Sequence, residues 1–270
     1  MSLRRSFGVA LAAAALCWAP AAAQEAPARE PAALAEARAR YNEGDLDGAI
    51  AAAAEARVQP DAAHAASLVI GRAYLERFRT TADALDLSSG REALASIDAA
   101  ALGPADRAAW LVGLGQSLYL GGRPGAAAEL FETALDDPQA LAPADARTLL
   151  DWWASALDQE AGTSSEPRRA GILARISARM QAALADAPGS APANYWLAAA
   201  AFGGGDPEAA WDLAAAGWVR AQAEPVTAGV ARADLDRLVL TAIVPALARA
   251  RGVAEATLAA EWALFKESWP

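Results

Sequence analysis

A glycine-centred turn recurs along this chain between alanine-rich helical stretches, and it constrains the fold more than any other feature. The clearest copy runs from Ala108 to Pro138. Leu111, Leu114, Gly115 and Leu118 fall at helical spacing, Gly121-Gly122 breaks the period, and Ala127, Phe131 and Ala134 resume it on one face. The same order appears in Tyr41-Asn-Glu-Gly-Asp-Leu-Asp-Gly-Ala49, which continues through Ala53 and Ala56 to Pro60. It appears again in Gly203-Gly-Gly-Asp-Pro-Glu-Ala-Ala210, which continues through Ala214 to Gly217. Glycine ends one helix with positive φ, and Pro124 opens the next as a first-turn residue.

Paired glycines ahead of a helix also raise the question of a phosphate-binding loop. GGRPGAAAEL has neither the Lys-Ser/Thr ending nor a preceding strand that such a loop needs. Gly113-Leu-Gly115-Gln-Ser-Leu118 lacks the third glycine of a dinucleotide fingerprint, so Gly115 reads as a point of close helix approach. Composition agrees with packed helices. The chain is 55% hydrophobic, largely through alanine, which favours helix but fills little volume, and nine tryptophans supply the missing bulk.

In these residues the chain resembles the tetratricopeptide repeat (TPR) family, whose unit of about 34 residues is two antiparallel helices with small residues where they cross. Gly115, Ala127, Phe131, Ala134 and Pro138 fall at or within one residue of that family's signature positions, as do Gly44, Ala49, Ala56 and Pro60. The resemblance implies an all-α, right-handed α-solenoid of about five TPR-like hairpins over residues 31–222, closed by C-terminal capping helices over 223–270. Gly71 and Tyr74 fit the first helix of a second hairpin, whose second helix is expected near Gly90, leaving an insertion near 78–89. ADARTLLDWWASALDQEA and PRRAGILARISARMQAALAD form a further pair across a long Gly162–Pro167 loop. Residues 226–270 read as two amphipathic helices, split near Gly252 and kinked at Pro245.

Residues 1–23 read as a secretory signal peptide. Arg4 and Arg5 precede an apolar stretch, FGVALAAAALCWAP, too short to span a bilayer comfortably, and Ala21 and Ala23 suit peptidase cleavage after Ala23. Residues 24–30 then form a linker. Arg4-Arg5-Ser6-Phe7 partly matches a twin-arginine signal, which leaves general and twin-arginine export both open. Cys17 follows Leu16 rather than a small residue, which argues against lipid attachment, and cleavage leaves a chain without cysteine or transmembrane anchor. Alanine richness, with Lys266 the only lysine, is the coding bias of a GC-rich bacterium, and the expected location is the periplasm. Net charge is −10, and −12 once Arg4 and Arg5 leave with the signal, which disfavours nucleic acid and anionic membrane surfaces.

Chemistry is sparsely supplied. His64 is the only histidine and reads as an interhelical or surface residue at a helix start. Asp234 and Asp236 face different directions on a helix, and Asp136-Asp137 lie at a helix end, so neither pair reads as an acid–base couple. No catalytic residue, metal site or cofactor is assigned, and the chain is expected not to be an enzyme.

The resemblance implies instead a concave groove lined by the first helix of each hairpin. Its positions here are Arg38, Tyr41 and Asn42; Leu68, Arg72, Leu75 and Glu76; Val112, Gln116 and Tyr119; and Tyr195 and Phe202. Tyr41, Arg72, Tyr119 and Tyr195 are the expected anchors, because tyrosine and arginine dominate interface energetics. The lysines and asparagines of the family's carboxylate clamp are almost absent, which disfavours a chaperone-tail partner. Secondary candidates are Arg77, Phe78 and Arg79, a cationic and aromatic spot in the inserted segment, and Trp152-Trp153, of which one is expected in the core and one as a contact. Trp211 and Trp218 share a face toward the C-terminal helices, and Glu261, Trp262, Phe265 and Lys266 read as a cap. The implied function is a periplasmic protein–protein interaction module or scaffold that holds a polypeptide or envelope-assembly component in its groove. The alternative is an accessory or receptor subunit enclosing a small ligand between the groove and the C-terminal helices. Homo-oligomerisation is left open.

Overall fold

Each of the three glycine turns closes with one hydrogen bond of identical reach. The computed structural model describes residues 30–137 and 139–270; the expected signal peptide, most of the expected linker and the signature residue Pro138 lie outside them. Among the described residues every regular element is helical. The helices are α1 (Ala32–Glu43), α2 (Leu46–Ala56), α3 (Ala63–Thr81), α4 (Ala84–Ala95), α5 (Pro104–Leu120), α6 (Pro124–Leu135) and α7 (Pro143–Thr163). They continue as α8 (Glu166–Asp186), α9 (Ala191–Gly203), α10 (Pro207–Arg220), α11 (Pro225–Leu238), α12 (Val244–Arg251) and α13 (Glu255–Ser268).

Gly44, Gly122 and Gly205 take φ of 82°, 74° and 86°. The next N–H then reaches the carbonyl five residues back: Asp45 to Arg40, Arg123 to Leu118 and Asp206 to Ala201, at 3.0, 2.9 and 3.1 Å. This is the Schellman closure that a left-handed residue permits. Asp45 and Asp206 then cap α2 and α10 by accepting the N–H groups of Gly48 and Ala209. Pro124 and Pro207 supply the preset φ of a first turn.

Small residues let the paired helices touch. A Cβ added to Gly115 of α5 would lie 2.4 Å from the Phe131 ring of α6, so the ring occupies the space that a side chain would fill. Gly71 of α3 and Gly90 of α4 face one another across their crossing. A Cβ on either would meet the other's carbonyl oxygen, at 3.2 and 3.0 Å respectively, and also the side chain of Leu94 or Leu75.

That crossing corrects the expected insertion near 78–89. α3 continues to Thr81, only Ala82 and Asp83 intervene, and Asp83 caps α4 by accepting the Leu85 N–H. Gly90 therefore sits in the middle of the second helix rather than at its start. Ala82 ends α3 at φ 56°, a left-handed conformation that alanine seldom adopts, which is why the sequence hides this turn. The long Gly162–Pro167 loop shrinks similarly: α7 runs through Thr163 and α8 begins at Glu166, with Pro167 in its first turn.

The chain divides into two compact units between Trp152 and Trp153, inside α7. In the first, Leu34, Ala37, Tyr41, Ala49 and Ala53 pack with Ala66, Val69 and Ala73, while Leu68, Leu75, Leu94, Ile97 and Leu102 form a second cluster. In the second unit, Ala198, Ala210 and Ala214 of the last glycine-turn hairpin share one core with Leu235, Val239, Ile243, Leu247 and Trp262. Residues 223–270 are therefore continuous with that hairpin's core.

Pro245 acts on the helix before it. It has no N–H for the Thr241 carbonyl and its ring crowds that group, and Val239–Ile243 widens into a π turn between α11 and α12. Gly252, at φ 69°, ends α12 where the sequence places a split. Among the described residues no helix is long and apolar enough to cross a membrane.

Candidate functional site

The first-helix positions divide by burial into two groups. Leu68, Leu75 and Val112 are core residues. Tyr41 is 4% exposed and Arg72 2%, with the Arg72 guanidinium 4.8 Å from the Tyr41 ring centroid. Burial pushes the half-buried Asp145 carboxyl up, and the Arg72 charge partly offsets this. Two of the expected anchors are thus committed to the interior of the first unit. A desolvated cation over an aromatic face is worth more there than at an open surface.

Arg38 is committed too. It joins Glu30 at 2.8 Å and both carboxylate oxygens of Asp106 at 2.8 and 3.0 Å, tying α1 to α5. Glu76 of α3 pairs with Arg79 one turn on, at 2.9 Å. Asn42 is exposed at the end of α1. Gln116 and Tyr119 remain: both are half-buried and lie one turn apart on α5. In the second unit Tyr195 meets Trp196 edge-on at 5.1 Å, and both Tyr195 and Phe202 pack against the core while keeping part of their surface in solvent.

The secondary candidates lie inside helices. Arg77 donates to Asp86 through two nitrogens, at 2.9 and 2.6 Å, and to Asp47 at 2.5 Å, locking α3 to α4 and α2. With Arg79 on Glu76, both cations of the expected basic spot are neutralised, leaving half-buried Phe78. The expectation that one of Trp152 and Trp153 is a contact is corrected, since both are buried. Trp152 packs against Phe131, with centroids 6.3 Å apart, and Trp153 lies under the guanidinium groups of Arg175 and Arg179 on α8, at 5.9 and 5.6 Å. His64, at the start of α3, accepts the Asp98 N–H through Nδ1 at 3.2 Å, an interhelical tether.

The Arg77 hydrogen bonds, then its charge, hold the Asp86 carboxyl below the usual carboxylate range against the opposing effect of desolvation. Their contribution is therefore present above the unfolded value and is lost as pH falls through the lower folded one. Arg77→Met should cost about 1–2 kcal/mol at pH 7, less than a deep pair, because Arg77 is itself the partly exposed cover and its removal admits water to Asp86. Urea unfolding at pH 7 and again below about pH 4 checks this: the gap between native and variant narrows on acidification.

The ion pair that ties α1 to α5 is not visible in sequence. Arg38 and Asp106 lie 68 positions apart. The one local signal was Asp83-Ala-Leu-Asp86, an acidic helix start for which Arg77 is a nearby cation. Comparisons with protein-family models, with curated proteins and with solved structures give no match.

Proposed function

We propose that the chain is a non-enzymatic, TPR-like α-solenoid exported to the periplasm, where it acts as a scaffold that holds an extended polypeptide against its first-helix faces. The observation that supports this reading is that Gly44, Gly122 and Gly205 each end a helix in the left-handed region and the next helix begins two residues on, at Leu46, Pro124 and Pro207. Contact in the first unit then falls on Gln116 and Tyr119 of α5 instead of on Tyr41 and Arg72. Tyr119 offers an apolar ring with a hydroxyl, and Gln116 offers an amide able both to donate to and to accept from a backbone. The acidic balance of the chain favours a neutral or basic segment over an acidic one.

Affinity purification of residues 24–270 from the cell envelope, beside a Gln116→Ala, Tyr119→Ala variant, tests this reading. The substitutions should leave the fold intact, as circular dichroism would check, since neither side chain is in the core. A polypeptide retained by the native chain should be lost from the variant by about tenfold or more. Equal retention by both chains contradicts the proposed face.

A further inference from the structure

Exposed apolar side chains gather on one side of α11. Val226 is 98% exposed, Val230 66% and Leu240 39%. With exposed Ala233 and Arg237 they follow one another at alternating steps of four and three residues, from α11 into the π turn. The opposite side of the same helix is core: Ala231, Leu235, Leu238 and Val239 are buried. Alternating four and three is the spacing of a seam between paired helices. The only charge on it is Arg237, which pairs with Asp234 one turn back at 3.1 Å.

We propose that this seam joins two copies of the chain, α11 against α11, antiparallel about a two-fold axis level with Leu235. In that register Val230 faces Leu240 of the second copy, and Arg237 crosses the small Ala233, with its guanidinium beside Asp234 of the second copy. The contact is self-complementary, as a two-fold interface must be, because each copy supplies both halves of every pair. Exposed Gly229 and Ala233 let the backbones approach. Charge selects the occupant. On a chain of net charge −10 this face carries Arg237 on the seam and Asp234 beside it, one cation and one anion, so two copies meet there without net repulsion, while a strongly charged partner finds no complement. The helix face is short, which puts the interface below the roughly 1,200 Å² of a stable complex and makes the dimer reversible at micromolar concentrations.

Analytical ultracentrifugation of residues 24–270, which contain every described helix, tests the pairing. The weight-average mass should climb from one chain toward two across the micromolar range. Val230→Glu, at an exposed position where the fold should stay unchanged by circular dichroism, should weaken association about tenfold or more. Arg237→Asp should weaken it too, and the doubly reversed Asp234→Arg, Arg237→Asp chain should recover it, because both copies then present the same pair inverted. A mass of one chain at every concentration, the outcome if the face serves a different protein, overturns the proposal. So does a dimer indifferent to Val230→Glu, or one that the double reversal fails to restore.

Discussion

Trp262→Ala is expected to remove about 3–5 kcal/mol from the stability of the C-terminal unit. Trp262 is fully buried, stacks on Phe265 at 5.2 Å and receives Trp211 and Trp218 edge-on at 5.5 and 5.8 Å. Its Nε1–H donates to Asp236 Oδ1 at 2.8 Å, and the Lys266 ammonium holds the same oxygen at 2.5 Å. Alanine would leave a cavity bounded by three aromatic rings and remove one donor from a partly buried carboxylate. Trp262→Phe keeps much of the volume and leaves Asp236 to Lys266, so its cost should be nearer 1–2 kcal/mol. Chemical denaturation followed by near-ultraviolet circular dichroism separates the two. An alanine cost under about 1 kcal/mol would mean that the cluster is not the core of this unit.

The second large effect concerns the α5–α6 crossing. At an ordinary helical position Gly→Ala gains about 1 kcal/mol. Gly115→Ala should instead cost about 2–3 kcal/mol, because its Cβ would lie 2.4 and 2.7 Å from two carbons of the Phe131 ring. Phe131→Ala, which empties a buried site beside Trp152, should cost about 3–5 kcal/mol alone. In that background Gly115→Ala should turn neutral or mildly stabilising, since the ring it would strike is gone. A double-mutant cycle therefore yields a coupling of about 3 kcal/mol. Additive costs would place the close approach of α5 and α6 elsewhere.

The parts of this fold legible in sequence are those set within a few residues. Glycine marks its left-handed turns, and Asp45 and Asp206 sit directly after two of them as helix caps. Gly115 announces a close approach because a glycine inside an apolar helical period has little other use. The Ala82 turn escaped because nothing marks alanine for positive φ, and with it went the true extent of α3 and α4. The candidate site was less legible, for a different reason. Helical period fixes which side of α1 or α3 a residue occupies, but not what covers that side. Tyr41 and Arg72 close on one another across 31 positions, Trp152 is covered by Phe131 of α6, and Trp153 is covered by arginines of α8. Gln116 and Tyr119, named as groove positions from the family register, are half-buried.

The most direct measurement of the proposed role is photo-cross-linking in intact cells from a reactive side chain at position 119, beside the same group at Val58, which is 81% exposed in the turn after α2. The scaffold reading predicts a discrete adduct with one polypeptide from position 119 and none from position 58. No adduct from position 119, or the same set of products from both positions, would contradict it.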